Sequence, residues 1–201
     1  MLCVIPSSLS FFRKDLEVYR YSRSLWNNGF TSGWFSWING EEGLNEHGLA
    51  VAMTFVMTEP GKIRAGFNSC FIVRYLLEKA NNTEQAISQL CDLPIASNCN
   101  ILLADKDGRM VVVECSPSAK NIREAETFDN GRIGCTVNSF ISDKMKAYDD
   151  TDRNDYDSHK RYRVVMDCFS SEHIRDDYIE TTKQLLKGDY GFMCQKSWCG
   201  L

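Results

Sequence analysis

A chain of 201 residues, 43% of them hydrophobic and 25% charged, is long enough to bury a real core and is read here as one domain, 1–201. Its formal net charge of −4 excludes the basic footprint that nucleic-acid binding requires. No apolar run has the length to span a bilayer, and the apolar start at 1–12 lacks the basic flank and small-residue cleavage site of a signal peptide.

In chain order, 13–21 (RKDLEVYRY) alternates weakly, as a strand would. Residues 34–37 read as a strand running into a turn at the glycine-bounded stretch 40–43. Residues 48–56 (GLAVAMTFV) are apolar on both faces and are expected as a strand buried between two layers. Residues 69–80 carry Phe71, Ile72, Tyr75, Leu76 and Ala80 at helical spacing. Asn82 or Thr83 caps a second helix, with Gln85 at capping-box distance from Asn82 and Ala86, Ile87 and Leu90 as its buried stripe; Pro94 stops it. A hairpin follows, with strands at 100–104 and 110–114 turning at 105–109 on Asp107-Gly108. Its alternation places Val111 and Val113 on one side and Val112 on the other, all buried. Residues 132–138 form another short strand, 148–157 a polar loop, and 159–169 and 175–186 amphipathic helices, the second closed by Gly188. Strands, two helices, strands and two more helices imply an α+β architecture with helix pairs on antiparallel sheet.

Nine cysteines are scattered, mostly inside apolar runs, with no Cys-x-x-Cys. They read as small buried hydrophobes in a reducing cytoplasm. A zinc site from Cys194, Cys199 and a histidine lacks close ligand spacing. The acidic run from Asp150 fails the calcium-loop pattern, with Asp155 at position six and Arg161 at position twelve. No metal and no cofactor is expected. His47, His159 and His173 could pair with a cysteine, but no cysteine-protease signature surrounds any of the nine.

Several stretches recur in a known order: GLNEHGLAVA at 43–52, RYLLE at 74–78, TEQA at 83–86, Pro94, Ser97-Asn98, ADKDG at 104–108, Val113-Glu114, TVNSF at 136–140 and GFMC at 191–194. This series resembles the choloylglycine hydrolases, penicillin V acylases and the related acyl-CoA:6-aminopenicillanic acid acyltransferases, which are N-terminal-nucleophile enzymes. Within that group the acyltransferase-like, linear-amide branch is the nearer. The resemblance implies a four-layer αββα sandwich, a small acyl amide as substrate, and hydrolysis or transfer of its acyl group. It also implies a nucleophilic N-terminal cysteine whose own α-amine takes the thiol proton.

The resemblance carries over to particular residues. Asn138 matches the family asparagine that donates to the oxyanion, against the plain reading of a strand-end turn residue. Thr54 stands where bile-salt-type members carry a second asparagine. Arg161 matches the arginine after the asparagine motif, with Arg163 as a shifted alternative; either is by default a surface residue on a helix. Asn45-Glu46 reads as a structural turn. Cys3 is the candidate nucleophile or else part of an edge strand, since Leu2 still precedes it once Met1 is removed. The family's opening cysteine and glycine-arginine-asparagine-x-aspartate motif are not found, and the chain reads as clipped at both ends, incomplete at its first and last strands. The alternative to an active enzyme is a silent relative or an acyl-ligand-binding module. Thr54 and Asn138 are expected to converge on one cleft, with Arg161 approaching. An open sheet edge or groove is expected beside Asn138, inviting assembly into a homo-oligomer.

Overall fold

The computed structural model describes residues 3–6, 19–21, 30–32, 41–128, 131–150, 157–170 and 178–193. Ten strands and four α-helices are formed there: β1 (Cys3–Pro6), β2 (Tyr19–Tyr21), β3 (Phe30–Ser32), β4 (Glu42–Asn45), β5 (Ala50–Phe55), α1 (Ser69–Lys79), α2 (Thr83–Asp92), β6 (Cys99–Ala104), β7 (Met110–Cys115), β8 (Lys120–Glu124), β9 (Glu126–Phe128), β10 (Gly131–Thr136), α3 (Ser158–Ser170) and α4 (Tyr178–Lys187). A seven-stranded antiparallel sheet runs β2-β3-β4-β5-β6-β7-β8, and a three-stranded one runs β1-β10-β9.

The alternation in β5, β6 and β7 sorts their apolar side chains into two cores. Val51, Met53, Ile101, Leu103, Val111 and Val113 pack under α1 and α2 with Ile72, Val73, Leu76, Leu77, Ala86 and Leu90. Ala50, Ala52, Leu102, Ala104, Met110 and Val112 line the opposite face. There they meet the small sheet at Gly134, where an added Cβ would lie 2.6 Å from Leu102 Cδ1 and 2.8 Å from Met110 Sδ. The far face of the small sheet buries Ile133 and Cys135 against Val165, Cys168, Phe169 and Leu185 of α3 and α4. The order helix, sheet, sheet, helix is the αββα sandwich.

The hairpin of β6 and β7 follows its sequence closely, with Leu103 opposite Val111 and Gly108 at φ +86° in the turn. Asn82 Oδ1 accepts from Gln85 N at 3.0 Å, as a capping residue should. The return bond goes to the Asn81 amide at 2.9 Å, one residue earlier than a capping box predicts. Gly188 closes α4 at φ +91°. Two expectations shift. The turn proposed at 40–43 gives way to β4, the real turn being 46–48 with Gly48 at φ +88°. The buried stripe of α1 is Ile72, Val73, Leu76 and Leu77, which leaves Phe71 44% exposed. The helix is rotated so that 72–73 and 76–77 share one core with Val51 and Met53. The strand expected at 34–37 lies outside the described residues, as does most of the polar loop at 151–156.

Among the described residues, no helix is long and apolar enough to cross a membrane.

Candidate active site

The C-terminal end of β10 delivers residues 137–142 across the mouth of the gap between the sheets, and four side chains, three from β5, β6 and β7 and one from the loop at 149, hold this stretch by its backbone. Thr54, the last inward residue of β5, donates its hydroxyl to Val137 O at 2.7 Å. Asn100, opposite Thr54 in register, donates through Nδ2 to Val137 O at 2.9 Å and Ser139 O at 3.1 Å. Asp149 accepts from Phe140 N at 2.8 Å. Glu114 of β7, fully buried, accepts from Ile141 N at 2.8 Å and Ser142 N at 3.1 Å through the same carboxylate oxygen, while its other oxygen accepts from the Ser142 hydroxyl.

Within this cradle the side chain of Asn138 is fixed at both ends. Its Nδ2 donates to Phe55 O at 3.0 Å, and its Oδ1 accepts from Arg161 at 3.1 Å. Arg161 is buried on the inner face of α3 and also reaches Ser158 Oγ at 3.3 Å. Arg163, two residues along a 3.6-residue period, faces solvent. Of the two arginines, Arg161 is therefore the one that reaches Asn138. Thr54, Asn138 and Arg161 are thus one connected group. A hydroxyl carries a single hydrogen, and that of Thr54 is donated to Val137 O, so this geometry gives Thr54 a clasping part.

The N-terminal strand completes the neighbourhood. Cys3 is opposite Thr136 in the β1–β10 pair, and successive partners run Val4–Cys135, Ile5–Gly134 and Pro6–Ile133. The start of β1 therefore lies at the end of β10 that leads into Asn138. This corrects the open edge expected beside Asn138: that edge is covered by β1, because strand pairing uses backbone groups and needs no particular side-chain motif.

Burial pushes the Cys168 thiol up to about 11 and raises that of Cys70, and Cys115 is raised well above its usual value by its contact with Cys99 and by burial. A nucleophilic cysteine needs the opposite shift. His47 lies 3.7 Å from Glu46, His159 is exposed on α3, and Cys194, Cys199 and His173 lie outside the described residues.

Asn100 and Glu114 were not marked as site residues from the sequence. The available signal was a lone polar residue in each of two otherwise apolar buried strands, at positions facing the gap. Asn45 is what its turn position suggested: Nδ2 donates to Leu77 O at 3.1 Å and Ala80 O at 2.7 Å, while Oδ1 accepts from His47 N at 3.1 Å and Leu49 N at 3.0 Å.

The four layers are those of the N-terminal-nucleophile hydrolase fold. An N-acylethanolamine-hydrolyzing acid amidase ortholog from Caenorhabditis elegans shares it at a TM-score of 0.55 and 14% identity, over 92% of this chain and 72% of that one. Penicillin V acylase from Agrobacterium tumefaciens aligns at 0.47 and 18% identity, over 92% and 62%. A variant of conjugated bile acid hydrolase from Clostridium perfringens aligns at 0.44 and 16% identity, over 73% and 47%. The chain therefore spans less than two thirds of the length of these last two. Residues 19–199 match the acyl-coenzyme A:6-aminopenicillanic acid acyl-transferase family, and the chain belongs to that family. No curated protein matches it in sequence.

Proposed function

We propose that this chain hydrolyses or transfers the acyl group of a small linear amide, with Cys3 as nucleophile once the peptide bond before it is cleaved. The observation that carries the reading is the buried Asn138–Arg161 contact at 3.1 Å, beside the point where β1 begins at Cys3 opposite Thr136. A freed α-amine, with an ordinary pKa of about 8, takes the thiol proton, and the thiolate adds to the amide carbonyl. Asn138 donates to the developing oxyanion while Arg161 holds its carboxamide by the oxygen. Collapse of the intermediate passes the proton to the leaving amine and leaves a thioester on Cys3. Water completes hydrolysis; an acceptor amine completes transfer. While Leu2 remains attached, the nitrogen of Cys3 is an amide and has no basic lone pair, so the uncleaved chain is expected to be nearly inactive. Buried thiols such as Cys99 and Cys135 suit a reducing cytoplasm, where the protein works alone or as a homo-oligomer.

A second reading, a silent relative that keeps an acyl-binding pocket, is favoured by one observation: the Thr54 hydroxyl is spent on Val137 O. The two readings part in one assay. Intact mass and amide turnover are measured for the chain as written and for a version cleaved to begin at Cys3, against a panel including penicillin V, conjugated bile acids and fatty-acyl amides. Turnover confined to the cleaved form and lost in Cys3→Ala supports the enzyme. Turnover that survives Cys3→Ala overturns Cys3 as nucleophile, and a cleaved chain that binds acyl amides without turnover favours the silent relative.

A further inference from the structure

Glu114 is a fully buried carboxylate in the middle of an apolar strand, and burying such a charge is costly unless it is paired and hydrogen-bonded. Its bonds all go to the stretch that carries Asn138: the amides of Ile141 and Ser142 and the Ser142 hydroxyl. Asn121, opposite Glu114 on β8, donates to the same Ser142 hydroxyl oxygen at 3.1 Å. The counter-charge is Arg123, whose Nε lies 3.6 Å from Glu114 Oε1.

Arg123 also reaches toward the helix layer. It donates to Cys135 O at 2.8 Å on β10 and to the Tyr162 hydroxyl at 3.2 Å, with its guanidinium 5.5 Å from the centre of the Tyr162 ring. Tyr162 in turn donates to Glu126 Oε1 at 3.0 Å. Burial and the neighbouring Glu126 raise the phenol above its ordinary value against the pull of Arg123, so it stays a donor. Tyr162 follows Arg161 directly in α3. One continuous chain of contacts therefore ties both partners of the Asn138–Arg161 pair: Glu114 holds the loop that bears Asn138, and Tyr162 holds the turn of helix that bears Arg161.

We propose that Glu114, acting through Arg123 and Tyr162, is a positioning residue that keeps Asn138 in register with Arg161 for catalysis. The catalytic part of this rests on the function proposed above; the positional part does not. Neither Glu114 nor Tyr162 touches a reacting atom in this scheme. Exchange to glutamine keeps the shape of Glu114 but removes the charge that faces Arg123 and turns its charge-assisted bonds to Ile141 and Ser142 into weaker neutral ones, so the 141–142 end of the loop is loosened.

The test is Glu114→Gln in the chain cleaved to begin at Cys3, with Tyr162→Phe as a second variant that removes only the helix-side link. Two arms are read separately. In the first, the Asn138 side-chain amide resonance is followed together with hydrogen exchange at the Ile141 and Ser142 amides. The expected result is a displaced Asn138 resonance and exchange at least ~10-fold faster there, while amides of β6 and β7 are unchanged, since a local opening does not report on the global unfolding of the sheet. In the second, steady-state kinetics on an acyl amide that the wild type turns over should show kcat down ~10- to 100-fold with KM within about twofold, the signature of misplaced groups rather than weaker binding. Tyr162→Phe should move both readouts in the same direction by less. An unchanged Asn138 resonance in both variants overturns the proposal whatever the kinetics. A displaced resonance with kcat unchanged overturns the catalytic part. If the wild type turns over no amide, the proposed function fails, and the claim that Glu114 sets the Asn138–Arg161 geometry is decided by the resonance alone.

Discussion

Asn45 offers the sharpest test of how this fold is held, because one side chain stitches a turn to the end of a helix. It is 4% exposed, donates twice to carbonyls at the C-terminal end of α1 and accepts twice from the His47 and Leu49 amides of the turn that leads into β5. Each such bond contributes about 1 kcal/mol net, and a buried partner left unpaired costs about 1–3 kcal/mol, so Asn45→Ala should lose roughly 3–5 kcal/mol. In a chain of this length that corresponds to a fall in Tm of roughly 6–20 °C. Asn45→Asp keeps both acceptors but turns a carboxylate toward the Leu77 and Ala80 carbonyls at the negative end of the helix dipole. The folded protein then disfavours the charge, so the folded pKa of the new Asp rises above its unfolded value of about 3.9. The native state binds the proton more readily than the unfolded chain, and the penalty, full at neutral pH, is relieved as pH falls through the raised pKa and levels off below about 4. Urea unfolding of wild type, Asn45→Ala and Asn45→Asp between pH 4.5 and 8 checks this. A loss below 1 kcal/mol in Asn45→Ala, or an Asn45→Asp penalty that does not shrink relative to wild type on acidification, would refute the clasp.

Three further outcomes follow from single contacts. Gly134→Ala pushes a methyl into Leu102 and Met110 between the sheets; because both obstructing atoms end flexible side chains, the loss should be at the low end of overpacking, about 1 kcal/mol, and Leu102→Val in the same chain should recover part of it in thermal unfolding. For Asp105, burial alone would raise the carboxyl pKa, but bonds from the Thr83, Arg109 and Asp107 amides outweigh it and hold the group below its usual range. Its stabilisation is therefore present above about pH 4 and lost as pH falls through the depressed folded value, and Asp105→Asn should flatten that acid limb in a pH series of melting curves. Asn82→Ala removes the cap on α2 and should cost about 0.5–2 kcal/mol by urea unfolding, with Asn82→Asp largely retaining stability.

How much of this was legible depended on whether a residue's partner lay nearby in sequence. The β6–β7 hairpin, the cap at Asn82 and the glycine at 188 are fixed by neighbours within a few positions, and all three were readable. The buried stripe of α1 was misplaced because Phe71 and Ile72 are equally apolar, and only the strand beneath decides which of them turns inward. The strands β3, β8 and β9 carry no strong alternation: Lys120, Asn121, Arg123 and Glu124 are mostly polar, and they pair because β7 presents an unsatisfied edge.

The candidate site shows the same limit more severely. Asn138 and Arg161 stood out through an ordered series of motifs, whereas Asn100 and Glu114 did not, although the loop hangs on them. A polar residue in an apolar strand is either an error in the core or the anchor of something distant, and the strand itself cannot say which. Here the distant object is a backbone stretch, and a backbone leaves no mark in a sequence. Thr54 illustrates the converse. Its position pointed to a donor for chemistry, and its one hydrogen goes to Val137 O, a bond that nothing near it in sequence announces. Cys3 falls between these cases. Strand pairing brings its backbone to the end of β10 that leads into Asn138 without any motif. What decides its chemistry is the state of the nitrogen that precedes its Cα: an amide while Leu2 is attached, a base once it is not.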